Sequence, residues 1–252
     1  MSAELLSLAL AAARAAGDLL LERVGGPVSG LTSKSSRTDL VSDADRDAEA
    51  LVLGMIRAAR PDDTIVAEEG GAASGGSGIT WLVDPLDGTI NYLWGIPQWS
   101  VSVAARDRDG AIVGVVHDAP RGETFTARRG HGAWLGGARL AVGPGPELSQ
   151  ALIGTGFNYR SDERSRQAER LTRVLPAVRD LRRFGSAAID LAWVAAGRLD
   201  GYFETGLNPW DWAAGELLVR EAGGVVEEMP ASGLIAAGTG LIDPLRALVR
   251  PE

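Results

Sequence analysis

Trp81-Leu82-Val83-Asp84-Pro85-Leu86-Asp87-Gly88-Thr89-Ile90-Asn91-Tyr92 is the stretch around which the rest of the chain organises. Ile79–Val83 is short and apolar, as a buried strand is, and two acids follow it three positions apart across a proline. Acids are rarely found inside such a strand, so the strand is expected to end at Val83 and a turn to follow. Proline fixes φ and glycine allows a tight turn. That turn aims Asp84 and Asp87 at one point, while Gly88 and Thr89 open a helix with unpaired N–H groups. A helix start beside a cation is a seat for phosphate. A plain Pro/Asp/Gly turn with an Asp helix cap is the reading this stretch alone leaves open.

Other acids share this placement. Glu68 and Glu69 follow the strand-like Thr64–Ala67, and Asp211 sits in Asn208-Pro209-Trp210-Asp211, where a helix begins. Taken singly, Asp211 is an ordinary first-turn acid favoured by the helix dipole. Composition narrows the chemistry. There are no cysteines and only two histidines, His117 and His131, which removes disulfides, thiolate sites and a histidine-rich zinc centre. A metal site here needs oxygen ligands, and those favour Mg²⁺, Mn²⁺ or Ca²⁺. With 33 acids, 25 bases and a net charge of −8, the chain repels nucleic-acid phosphates, so no direct nucleic-acid binding is expected. It also repels a phosphate ester unless cations stand between them.

The 252 residues suffice for one large core or two sub-domains sharing a site. Met1–Glu4 has no basic segment, Arg14 and Asp18 interrupt Leu5–Leu21, and no apolar run approaches a membrane span. A cytoplasmic protein without a membrane segment is expected. Ser2 reads as the cap of a first helix stopped by Gly25-Gly26-Pro27, and Ser42 with Asp45 reads as the capping box of a second, ended by Pro61. Gly70–Gly78 reads as a surface loop. Ser100–Arg106, Ala111–His117 and Glu123–Arg128 form an antiparallel meander. After Gly143-Pro144-Gly145-Pro146 strands and helices alternate: strands at Ala151–Thr155, Leu199–Glu204 and Gly224–Glu227, helices at Glu163–Leu175, Ile189–Ala196, Trp210–Ala222 and beyond Asp243-Pro244. The boundary divides an α+β half, 1–142, from an α/β half, 143–252, which together make one catalytic unit.

Val66-Ala67-Glu68-Glu69, the stretch 81–92 and Asn208-Pro209-Trp210-Asp211-Trp212-Ala213-Ala214-Gly215 resemble the inositol monophosphatase family, most closely its bacterial members. Lys34-Ser35-Ser36, Asp39-Leu40-Val41-Ser42 and Arg183-Phe184-Gly185-Ser186-Ala187-Ala188 extend the resemblance over nearly the whole chain. It implies a layered αβαβα sandwich of the sugar-phosphatase type with the site between the halves. It also implies ligands for two or three Mg²⁺ ions, with Mn²⁺ able to substitute. Glu68, Asp84 and the Leu86 carbonyl would hold the first, Asp84, Asp87 and Asp211 the second, and Glu68 a third through water. Glu69 is the weaker candidate of its pair. Gly88 and Thr89 would give N–H groups to the phosphate, and Asp45 with Thr89 would orient and deprotonate the attacking water. For Asp45 the capping box competes, and both roles are expected to coexist only if the side chain leaves its own helix.

The implied reaction is in-line hydrolysis of a small polyol or sugar phosphate, myo-inositol monophosphate first, by water activated by divalent cations. Ser100 and Ser102 lie far in sequence from any base and are not read as nucleophiles. Four carboxylates in one cleft repel one another, so the metal-free site should be loose and metal should stabilise the fold. Glu204 is either a contact for inositol hydroxyls or an exposed acid at a strand end. Gly185, Ser186 and Ala187 line the pocket, or Ser186 is an N-cap. Lys34 reaches an anion or is solvated, and Arg182 and Arg183 serve an interface or the substrate rim. The tryptophans read as core or interface packing. A homodimer and lithium sensitivity follow from the resemblance. The rivals are the same chemistry on histidinol phosphate, fructose 1,6-bisphosphate or a 3′-phosphorylated nucleotide, and, in another class, a non-catalytic binding protein of the transcription machinery.

Overall fold

The computed structural model of the chain describes residues 1–26, 29–33, 40–70 and 73–250. Pro27, Lys34-Ser35-Ser36 and part of the loop 70–78 lie outside them, and with them the expectation for Lys34. The first half runs α1 (Ser2–Arg23), β1 (Thr32–Ser33), β2 (Leu40–Val41), α2 (Asp43–Ala59), β3 (Thr64–Ala67), β4 (Thr80–Asp87) and α3 (Thr89–Leu93). It continues through β5 (Ser100–Asp107), β6 (Gly110–Asp118), β7 (Glu123–Arg128), β8 (Ala133–Leu135) and β9 (Ala138–Arg139). The second half carries β10 (Leu152–Thr155), α4 (Ser161–Val174), β11 (Asp180–Arg182), α5 (Ala187–Ala195) and β12 (Gly201–Glu204). It ends with α6 (Pro209–Glu221), β13 (Val225–Met229), β14 (Gly233–Ala237) and α7 (Ile242–Val249).

Strands β3 to β9 form one sheet in chain order, parallel only between β3 and β4. The second sheet has the order β11-β10-β12-β14-β13, with β10 parallel to both neighbours and β14 antiparallel to both of its own. Strands β1 and β2 make a separate antiparallel pair. Apolar faces dictate the stacking. Leu5, Ala9, Ala12 and Ala16 of α1 and Val52 and Ile56 of α2 bury against one face of the large sheet, where Trp81, Val103 and Val115 wait. Its other face offers Leu82, Ala104, Val116 and Phe125 to α5 and α6. The small sheet covers those helices in turn, and Ile153, Phe203 and Ile235 on its far side pack under α7 and Val174 of α4. The result is five layers, α1/α2, large sheet, α5/α6, small sheet, α4/α7, as the resemblance implies.

Three local expectations are corrected. Ser2 is the first residue of α1 rather than its cap; Met1 holds the cap position without a side-chain bond. Strand β4 does not end at Val83 but continues through Asp84 to Asp87. Asp84 pairs with Ser102 and Asp87 with Ser100, so three steps on β4 face two on β5, a bulge at Pro85-Leu86. Proline is tolerated there because the bulge spares a ladder N–H. The bulge, not a turn after the strand, re-aims the two acids. Finally, β11 and β14, the latter inside the small sheet, have no counterpart in the sequence reading.

Candidate active site

Gly88 follows β4 with φ 95°, a conformation that glycine adopts without strain, and caps the short helix α3. A Cβ here would stand 2.9 Å from the Gln98 carbonyl and 3.2 Å from that of Gly185. Glycine is thus needed twice over, for its φ and for the close approach of the second half. Around this point one cleft brings together Glu68 from the end of β3, Asp84, Leu86 and Asp87 from the bulge, and Asp211 from the first turn of α6. Gly88, Thr89, Gly185 and Ala187 line it, as does Glu204 at the end of β12. Glu69 is not among its lining residues.

Two of the acids are caps and site residues at once. Asp45 Oδ2 accepts the Ser42 amide at 2.9 Å and the Ser42 hydroxyl at 2.6 Å, closing the capping box, while Oδ1 accepts the Thr89 hydroxyl at 3.1 Å. The expectation that both roles require the side chain to leave its helix is therefore overturned: the carboxylate divides its oxygens. Asp45 is itself buried and does not line the cleft; it is joined to the cleft by the Thr89 hydroxyl, which also meets the Leu86 carbonyl at 3.0 Å. Asp211 repeats the motif on α6, its Oδ2 accepting the Asn208 amide at 2.7 Å.

Ser186, read as a pocket residue or an N-cap, caps α5 and lies behind Asp87 rather than in the cleft wall. Its hydroxyl donates to Asp87 Oδ2 at 2.6 Å, and the Ala188 N–H reaches the same oxygen at 2.8 Å. Asp84 is held from within the bulge, Oδ1 accepting the Leu86 N–H at 3.0 Å. Ser100 and Ser102 are buried, the first 3.4 Å from the Ser186 hydroxyl, the second donating to the Trp210 carbonyl at 3.2 Å. Arg183 lines the cleft, whereas Arg182 pairs with Asp180.

The cleft's field is strongly negative. Burial, then the charges of Glu68, Asp87 and Asp211, push Asp84 well above the usual carboxylate range. Asp211 is raised well above it too, by burial and then by Glu68, with the Asn208 amide pulling the other way. Burial lifts Asp87 to about 6 against the bonds from Ser186 and Ala188, and lifts Glu204 to about 7 against its Tyr202 partner and Arg183. Arg183 is the single basic residue among the described residues lining the cleft, facing Glu68, Asp84, Asp87, Glu204 and Asp211. That imbalance and the all-oxygen donor set suit hard divalent cations. No group of three or more such side chains among the described residues stands ready to hold a metal ion as it is. The carboxylates share a cleft and a field.

Some residues of the site escaped the sequence reading. Asp190 of α5 is buried, its Oδ1 without a hydrogen-bond partner, and its carboxyl is pushed well up by burial and by Glu204 and Asp87. Its one signal is a lone charge in the apolar run Ala187–Ala196. Gly156, Asn158 and Tyr159 also line the cleft, with no cue in their own types.

The inositol monophosphatase family profile matches residues 1–247. The "Nus factor SuhB" of Escherichia coli K12 is 39% identical over 257 aligned positions, covering 98% of this chain and 96% of that protein. Among solved structures, the extragenic suppressor protein suhB of Bartonella henselae superposes with a TM-score of 0.91 at 36% identity, covering 98% of both chains. An IMPase of Thermotoga maritima does so with a TM-score of 0.88 at 32% identity, covering 99% of this chain and 97% of that one. With that match and the shared five-layer fold, the chain belongs to the inositol monophosphatase family.

Proposed function

We propose that the chain is a Mg²⁺-dependent phosphatase of small polyol phosphate monoesters, with myo-inositol monophosphate as its preferred substrate. The observation that carries this is the convergence of Glu68, Asp84, Asp87 and Asp211, from three separate segments, on one cleft beside Gly88 and Thr89. Those four acids and the Leu86 carbonyl would hold the ions. Divalent cations, when bound, lower the pKa of water and offset the charge that gathers on the leaving oxygen.

The chain's own groups do the rest. The N–H groups of Gly88 and Thr89 receive phosphate oxygens. The attacking water donates to Thr89 Oγ1, which passes its own proton toward Asp45 Oδ1, already 3.1 Å away. Ser186 and the Ala188 N–H keep Asp87 aimed, and Glu204 accepts a hydroxyl of the polyol. The halves 1–142 and 143–252 work as one catalytic unit. Exposed Trp94 and Ile96, beside α3, support a homodimer, which size-exclusion chromatography with light scattering checks.

The test is phosphate release from myo-inositol monophosphate with Mg²⁺ or with EDTA, in the wild type and in Asp84→Asn. Loss of an outer-shell partner of a metal already costs about 10–100-fold, so Asp84→Asn should lose more than ~100-fold while still folding. Release that persists with EDTA, or in the variant, rejects the reading. A panel with histidinol phosphate, fructose 1,6-bisphosphate and a 3′-phosphorylated nucleotide ranks the substrates. The relatives called Nus factors support a second reading, a contact with the transcription machinery, which pull-down with purified transcription complexes tests.

A further inference from the structure

Strand β10 runs parallel to β12 with Gly154 level with Tyr202 and Thr155 with Phe203. One step beyond the strand, Gly156 falls level with Glu204. Alternate residues of a strand share a face, so Gly154 and Gly156 turn the same bare face toward Tyr202 and Glu204. A Cβ at Gly154 would press on Leu199 and on the Tyr202 ring. A Cβ at Gly156 would fall on the Glu204 carboxylate itself, well inside van der Waals contact of Oε1, Cδ and Oε2. No other atom stands as close to that point. Glu204 is held at that place, because the Tyr202 hydroxyl donates to its Oε2 from a fully buried ring, and moving it aside costs that bond. Oε1 accepts no hydrogen bond from any described residue, is not among the buried unpaired atoms, and belongs to a side chain that lines the cleft.

We infer that Gly156 is a specificity-determining residue: its missing side chain seats the Glu204 carboxylate, and Tyr202 locks it there, so that Oε1 is presented to a hydroxyl of the polyol. Gly156 acts through Glu204 and is a positioning residue. This rests on the polyol phosphatase reading of the same cleft. It adds that the selection for hydroxyl-bearing esters is set by an absent methyl group on the neighbouring strand, and that the Gly154-x-Gly156 and Tyr202-x-Glu204 pairs work together.

The experiment compares kcat/KM for myo-inositol monophosphate with that for phenyl phosphate, which carries no polyol, in the wild type and in Gly156→Ala. Gly156 has no positive φ, so alanine meets no backbone strain and the Glu204 side chain is what must move. A hydrogen bond to a charged group corresponds to roughly 10- to 100-fold, so the polyol-to-phenyl ratio should fall by about that factor, mostly through KM for the polyol ester. Tyr202→Phe, which adds no atom, should move the ratio the same way. In a Glu204→Ala background the Gly156→Ala change should shift the ratio less than about twofold, because nothing remains to be displaced. An unchanged ratio in both single variants, or a Gly156→Ala loss that persists without the Glu204 carboxylate, overturns the inference. If the wild type releases phosphate from neither ester, the underlying reading fails and the inference falls with it.

Discussion

Two helix starts in this protein are written in nearly the same way and do different work. Ser42-x-x-Asp45 opens α2 and Asn208-x-x-Asp211 opens α6, and in both the aspartate turns Oδ2 back to the amide of the cap residue. What separates them lies far away in sequence. Asp45 is met by the Thr89 hydroxyl and shielded from the cleft; Asp211 faces the cleft and the charges of Glu68, Asp87 and Glu204. A local motif thus orients a carboxylate, while tertiary neighbours decide whether it is screened behind a hydroxyl or faces a charged cleft.

The sharpest way to break that comparison is to neutralise each acid while keeping its cap, since an asparagine oxygen still accepts the amide. Asp211→Asn should lose more than ~100-fold in turnover and raise the Mg²⁺ concentration needed, by the same ligand argument as for Asp84. Asp45→Asn should lose about 10²-fold, within the range for general-base removal, with Mg²⁺ dependence unchanged. Titrating Mg²⁺ against initial rates separates them, and equal shifts in metal dependence would erase the distinction. Next comes pH. In the folded, metal-free protein Asp87 and Glu204 hold protons more tightly than in the unfolded chain, up to about 6 and about 7 against 3.8 and 4.5. Their stabilising contribution is present in acid and is lost as pH rises from about 4 to about 7. Melting with EDTA should therefore show a midpoint falling by several degrees over that range, about 2–4 °C per ~1 kcal/mol for a chain this size. Mg²⁺ should reduce the slope by the share that Asp87 contributes. The smallest effect is expected from Ser42→Ala, which deletes the 2.6 Å hydroxyl contact but leaves the amide bond to Asp45. A loss of about 1 kcal/mol in denaturant unfolding with turnover changed only a few-fold would mark the cap as structural support for Asp45.

The acids, their helix starts and the meander were legible because each has a local cause: turn residues, capping spacing, alternation. The bulge in β4 was not, because its cause is register against Ser100 and Ser102 on another strand. Nor was the double role of Asp45, which depends on a hydroxyl 44 positions away. Strand β14 carries Gly233-Leu234-Ile235-Ala236-Ala237, a run whose period says little by itself. Gly156 looks like any loop glycine until β12 is laid beside it. Placement of Glu68 and Asp211 in one cleft was anticipated through the family resemblance rather than through spacing.

The large sheet is covered on its second face by α5 and α6, which are made well after it: Leu82, Ala104, Val116 and Phe125 are shielded by helices beginning at Ala187 and Pro209. A nascent chain emerging from the ribosome therefore carries a bare oily surface until some two hundred residues have been synthesised, and the acid from α6 arrives with the same segment that covers it. Assembly of the cleft and concealment of that surface are one event, so a truncated translation product has no route to a complete cleft and is a natural client for chaperones and proteases.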